Sequence, residues 1–183
     1  MTPRKAELLD AAIQFVTEHG VGNLSLRPLA EGIGTSARLL IFHFGTKEKL
    51  LTEILGEVQA RFQAVVTSMP QEHGSGGRAP MRRFWDHMTR PENLPLLRVL
   101  YTAHFIALEN QSEFGPYLTD TSRNWVSLIE SRLHGPLRNK AIATLCAAVF
   151  DGLIIELLAT GDLRRSTQAM DAFIGLLKSR SGK

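Results

Sequence analysis

The sequence of 183 residues contains one cysteine, Cys146. One thiol cannot close an intrachain disulfide or build a zinc thiolate site. The chain also shows no basic stretch followed by an apolar signal segment, and together these absences predict a reducing, cytoplasmic setting. Long apolar runs are scarce. The longest uncharged one, Ala141 to Phe150, stops at Asp151, short of the ~20 residues that span a bilayer, so a membrane partner is not expected. The histidines, at 19, 43, 73, 87, 104 and 134, form no i, i+4 pair with a nearby acid, so neither a metal nor another cofactor is expected. No segment alternates apolar and polar residues with β-branched enrichment, which excludes a strand-borne phosphate loop, and nothing local announces a nucleophile. The composition therefore predicts an all-α protein that is not an enzyme. A basic surplus is also missing where it would be most telling. The chain carries a net +3, yet residues 1 to 63 balance Arg4, Lys5, Arg27, Arg38, Lys47, Lys49 and Arg61 against an equal number of acids. Net charge alone identifies no nucleic-acid surface there.

What is present is helical punctuation. Residues 25 to 50, SLRPLAEGIGTSARLLIFHFGTKEKL, hold three helix starts and two tight turns. Ser25 is placed to cap a helix that has Pro28 in its first turn and Leu26, Leu29, Ala30 and Ile33 at i, i+3, i+4, i+7. Gly34 closes it as a residue able to turn left-handed. Ser36 caps a second helix carrying Ala37, Leu40, Ile41 and Phe44 at the same spacing; Gly45 stops that one and Thr46 caps a third. Upstream, a helix from about Pro3 to His19 turns Leu9, Ala12, Ile13 and Val16 inward. Three short amphipathic helices sharing one core are the grammar of a helix-turn-helix reader. Such a reader puts one helix N-terminus in the DNA major groove and sets its neighbours against phosphates.

Arg4, Leu9 with Ala12, Gly20, the pair Leu29-Ala30, Gly34, Ser36 and the run His43-Phe44-Gly45-Thr46-Lys47-Glu48 resemble the N-terminal signature of the tetracycline-repressor-like (TetR) family. Three positions depart from that pattern. Ile41 stands where the family usually has a Tyr that holds a phosphate, Thr35 follows the turn glycine in place of Val, and Arg38 replaces a small residue.

Arg38, in the first turn of the reading helix, is suited to bidentate hydrogen bonding with guanine O6 and N7. The resemblance also implies a base contact for Arg27. Thr46 and Lys47 at a helix start suit phosphate, and Ser25 and Ser36 complete the candidate DNA-contacting set. Ala37 and Leu39 are placed to meet a thymine methyl, Phe42 and His43 to pack on the sugar-phosphate backbone. The competing reading makes Leu39 or Phe42 part of the small core and His43 an interior hydrogen-bonding residue.

The residues divide into an expected reader at 1–46 and a helical second domain at 47–183. Helix four is expected from Lys47 to about Thr67, then a Gly/Ser/Pro linker between Pro70 and Pro80. Further helices are expected near 80–90, 95–110, 116–133, 137–160 and 163–180, broken at Arg90-Pro91, Gly115-Pro116, Gly135-Pro136 and Gly161-Asp162. Trp85, Met88, Tyr101, His104, Phe105, Trp125 and Phe150 are candidates to line an apolar effector pocket, although aromatic residues at helical spacing also serve as plain core. The segment 141–158 reads as a helix buried nearly all round. Its Ala148, Gly152 and Ile155, with Met170, Phe173, Ile174 and Leu177 of the last helix, are candidates for a four-helix dimer interface, as the resemblance implies; the alternative is a purely intramolecular core.

The resemblance implies a homodimeric transcriptional regulator, most simply a repressor, that binds a palindromic double-stranded DNA operator and is released by a small hydrophobic effector. The competing readings are a helical ligand-binding, sequestering or catalytic protein that keeps the motif only as fold, and an architectural DNA protein without an effector.

Overall fold

A computed structural model describes residues 2–22, 24–70 and 78–181. Of the linker expected between Pro70 and Pro80, residues 71–77 lie outside the described residues. Among the described residues the chain forms α-helices and one 3-10 turn and no strand: α1 (Pro3–His19), α2 (Leu26–Gly32), α3 (Ala37–Phe44), α4 (Lys47–Ser68), α5 (Arg78–Met88), α6 (Leu94–Glu109), α7 (Gln111–Arg132), a turn at Gly135–Leu137, α8 (Lys140–Thr160) and α9 (Leu163–Ser181). The all-α class expected from the absence of strand patterning is the class observed. The chain divides into two compact units, Met1–Arg61 with Pro95–Thr121, and Phe62–Leu94 with Ser122–Lys183.

In the first unit the apolar periodicity becomes a core. Leu8, Leu9, Ala12, Ile13 and Val16 of α1, Leu29 and Ala30 of α2, Leu40 and Phe44 of α3, and Leu50, Leu51, Ile54, Leu55 and Val58 of α4 are buried. Each large aliphatic side chain withdrawn from water in this way contributes about 1.5–3 kcal/mol, so the short helices are held by packing rather than by intrinsic propensity. Polar ties cross the same core. Lys5 Nζ donates to Glu53 Oε1 at 2.7 Å and lies 5.1 Å from the Phe44 ring centre. Arg61 donates to Glu57 at 2.9 Å and also to Asp10.

In the second unit α9 packs against α5, α8 and the 3-10 turn. Leu133, Leu137, Ala143, Cys146 and Leu177 form a buried cluster, with Met81, Val126, Ile129, Ile142 and Phe173 packed on it. Trp85 is fully buried and its Nε1 donates to Thr167 Oγ1 at 2.9 Å.

Several boundaries differ from those expected. Gly115-Pro116 does not separate helices: α7 starts at Gln111 and runs through Pro116. The proline lies in the second turn, where its missing N–H removes only the bond to the Ser112 carbonyl. Buried Phe114 anchors that start, with the Asn110 carbonyl accepting from the Phe114 N–H at 3.1 Å. The helix expected from 137 is a 3-10 turn up to Leu137, and α8 begins at Lys140 because the Asn139 side chain accepts from the Ile142 N–H at 3.0 Å. Nor is α8 buried all round. Ala143, Cys146, Ile154 and Leu157 face inward, while Ala141, Leu145, Ala148, Gly152, Ile155 and Ala159 are exposed. At 21 residues it is long and apolar enough to cross a membrane by length and composition only, a test that a helix of a folded core also passes.

Candidate nucleic-acid interface

The turn between α2 and α3 is built by backbone geometry. Gly34 has φ +67°, a left-handed conformation that costs glycine little, and it lets the Thr35 N–H return to the Ala30 carbonyl at 2.8 Å. The chain leaves the turn extended at Ser36, whose Oγ accepts from the Leu39 N–H at 3.2 Å. That cap fixes where α3 begins and points its free N–H groups outward. Gly45 ends α3 with its N–H on the Ile41 carbonyl at 2.8 Å, and Thr46 Oγ1 then caps α4 by accepting from the Lys49 N–H at 3.1 Å. Ser25 behaves differently: its backbone is extended at the start of α2, but its hydroxyl makes no capping bond. It remains exposed.

Along α3, Leu40 and Phe44 are buried and anchor the helix, leaving Arg38 and Phe42 on its outward side. Phe42 is 79% exposed, which corrects the reading of this residue as core, and Ile41 is 42% exposed. Ala37, Leu39 and His43 are half-buried at the flanks. The Phe42 ring meets the edge of His43 at 5.1 Å between centroids. Lys47 is exposed at the start of α4. Arg27 is exposed too, with its Nε donating to Glu31 at 3.0 Å. An i, i+4 pair in open water contributes only about 0.3–0.5 kcal/mol, so a phosphate or a base can displace Glu31 at little cost. Sequence reasoning missed Lys5 because its partners Glu53 and Phe44 are distant in the chain. By gripping both, Lys5 ties α1 to α4 and to the closing residue of α3.

The effector candidates are not gathered in one unit. Trp85, Met88, Trp125 and Phe150 belong to the second, Tyr101, His104 and Phe105 to the first. In the second unit Phe84, which the sequence also offers as a cavity-lining residue, links the rings. It stacks on Phe150 at 4.9 Å and tilts against Trp125 at 5.8 Å, while Trp85 meets Phe150 edge-on at 5.7 Å. Trp85 and Met88 are buried, and Trp125 and Phe150 are half-buried. Phe105 is 52% exposed, which corrects its expected pocket position: it lies on the outer side of α6. Cys146 is buried, and desolvation pushes its thiol up to about 11, so it stays protonated and unreactive at neutral pH.

The dimer candidates divide by helix. Met170, Ile174 and Leu177 are buried within their own unit and Phe173 packs on its core cluster. The α9 stripe is therefore intramolecular, because α5 and α8 already fill its inward side. Ala148, Gly152 and Ile155 on α8 are exposed, as is Leu176 on the other side of α9.

A capped short helix with an open outward face, preceded by a tight left-handed turn and followed by a second capped helix start, defines a helix-turn-helix motif. Residues 8–54 match the model of the tetR family of bacterial regulatory proteins. Over those residues the chain carries that family's helix-turn-helix signature, and along most of its length it is similar to regulators of this kind. It is 25% identical over 173 residues to the HTH-type transcriptional repressor AcnR of Corynebacterium diphtheriae, covering 93% of this chain and 90% of that protein. It is 28% identical over 163 residues to the HTH-type transcriptional regulator BetI of Agrobacterium fabrum, covering 84% of this chain and 76% of BetI. Its fold matches that of a TetR-family regulator from Rhodococcus sp. with a TM-score of 0.75, at 21% identity over 98% of each chain. It also matches the multidrug binding protein EbrR complexed with ethidium with a TM-score of 0.76, at 22% identity over 95% of this chain and 98% of that one.

Proposed function

We propose that this chain is a homodimeric, cytoplasmic repressor that binds a palindromic operator and is released by a small apolar effector. The observation that carries the reading is the outward face of α3, where Arg38 and Phe42 stand exposed on a helix whose start Ser36 caps. Residues 1–46 act as the reader, Arg38 on a guanine and Lys47 with Thr46 on phosphate. Residues 47–183 supply effector binding and dimerisation. Two readers related by a two-fold axis demand half-sites about 34–36 Å apart. The dimer contact is the exposed seam of α8, Leu145, Ala148, Gly152 and Ile155, whose small residues permit close helix approach. Its burial against a second copy, rather than in lipid, answers the apolar length of α8. The effector site is the aromatic group of Phe84, Trp85, Trp125 and Phe150; that EbrR is seen with ethidium supports a flat, ring-bearing ligand class. Effector and operator then weaken each other's binding by the same factor.

The test is selection from random DNA at about 150 mM salt, fixed because phosphate contacts dominate affinity. The native protein is expected to enrich a palindrome that Arg38→Ala loses or relaxes. A second reading, a ligand-binding protein without sequence-specific DNA binding, is favoured by Ile41 at the position where the family's phosphate-holding Tyr would stand. A folded dimer that enriches no sequence establishes that alternative.

A further inference from the structure

We infer that Phe42 is a sequence-reading residue that recognises the 5-methyl group of a thymine, placed in each half-site next to the guanine taken by Arg38. The inference rests on the DNA-binding role proposed above. At ~100° per residue, Phe42 lies diametrically opposite the midpoint of Leu40 and Phe44, the two residues that bury α3, and so occupies the centre of the outward face. It is the most exposed of the large apolar side chains among the described residues, at 79%. The ring is braced: His43 meets it edge-on at 5.1 Å with the planes 81° apart, which limits how far it can fold back onto its own helix. Arg38 sits one turn earlier on the same face, at i−4, exposed and in no salt bridge among the described residues.

The major groove offers one apolar feature, the thymine methyl, set among donors and acceptors that a phenyl ring cannot satisfy. An exposed ring at the centre of a helix face that also carries a groove-reading cation therefore has one complementary target on the base edges. A step of one helical turn, ~5.4 Å, against ~3.4 Å per base pair places that thymine about one to two base pairs from the guanine. Leu39 and Ile41, partly exposed on either side of Phe42, extend the apolar ridge and exclude water from the contact.

The experiment starts from the operator enriched by selection and replaces each thymine in turn with uracil, which deletes only the methyl. Affinities are measured for native protein, Phe42→Ala and Arg38→Ala at one salt concentration. For the native protein, uracil at one thymine position per half-site is expected to weaken binding about fourfold, the equivalent of one buried methyl group. Phe42→Ala should bind thymine and uracil operators equally, and Arg38→Ala should still discriminate between them. If no uracil position matters, or if Phe42→Ala discriminates as well as the native protein, the inference is overturned. A Phe42→Ala defect of equal size on every sequence, with no uracil effect, assigns the ring to the sugar-phosphate backbone and also overturns it. Failure of the native protein to enrich any sequence overturns the inference together with the regulator reading. The uracil arm perturbs only the DNA, so no misfolded variant can mimic it.

Discussion

Gly32 stands where α2 passes the ring of Phe15, and a Cβ built there would lie 2.2 Å from Phe15 Cε2. Glycine near a helix end is usually replaceable at a profit, since alanine is the better helix former by about 1 kcal/mol. Here the steric demand opposes that gain. The ring would have to swing off His19, with which it stacks at 4.2 Å. Gly32→Ala is expected to destabilise the protein by about 1–3 kcal/mol in chemical denaturation, and in a Phe15→Ala background the same change should become neutral or favourable. Equal effects in both backgrounds would show that the ring is not the obstacle. Nothing in the sequence flagged this pair, because the contact joins two helices across a turn. By contrast, Ser36, Thr46 and Gly34 could be read in advance, since caps and left-handed turns are set by residues within four positions of each other.

At the scale of elements, the legible features were those governed by local chemistry. The caps of α3 and α4 and the inward stripes of α1 to α4 follow from spacing, except that Ile41, which the spacing puts in the α3 stripe, is exposed because Leu40 and Phe44 alone fill that side. Pro116 misled because a proline marks a helix boundary only when its carbonyl partner and ring have no room, and in the second turn of α7 they have it. The two last helices misled for another reason. Both carry apolar stripes, and spacing cannot say which one a neighbour in the same chain will cover. Packing of α5 and α8 on α9 buries Met170, Ile174 and Leu177, leaving the α8 seam outside. The seam thus carries the dimer reading. Leu145→Glu sets like charges near each other across a two-fold axis and is expected to weaken dimerisation about a hundredfold, measured by sedimentation velocity with helicity unchanged by circular dichroism. A variant that remains a dimer would move the interface elsewhere. The candidate effector site was the least legible: aromatic side chains at helical spacing look alike whether they line a core or a pocket, and only the fold sorted Phe105 to the surface.

On the scale of the whole molecule, charge placement matters more than total charge. The reader is neutral overall, and its cations act singly, some of them already tied to carboxylates as Lys5 is to Glu53 and Arg27 to Glu31. Few phosphates can therefore be engaged, and each one should be visible in the salt response. Lys47→Ala is expected to reduce the slope of log affinity against log salt by about 1 on every sequence without altering the preferred operator. An unchanged slope would place Lys47 off the backbone. The same neutrality governs how the protein is distributed between operator and chromosome. Sequence-blind attraction to nucleic acid scales with uncompensated positive charge, so a balanced reader leaves little of itself adsorbed on the genome. On the proposed function, most dimers then stay free to sample operator and effector. The inducer concentration that would then switch the proposed target is set by the protein's own two affinities and its copy number, with chromosomal DNA a weak competitor.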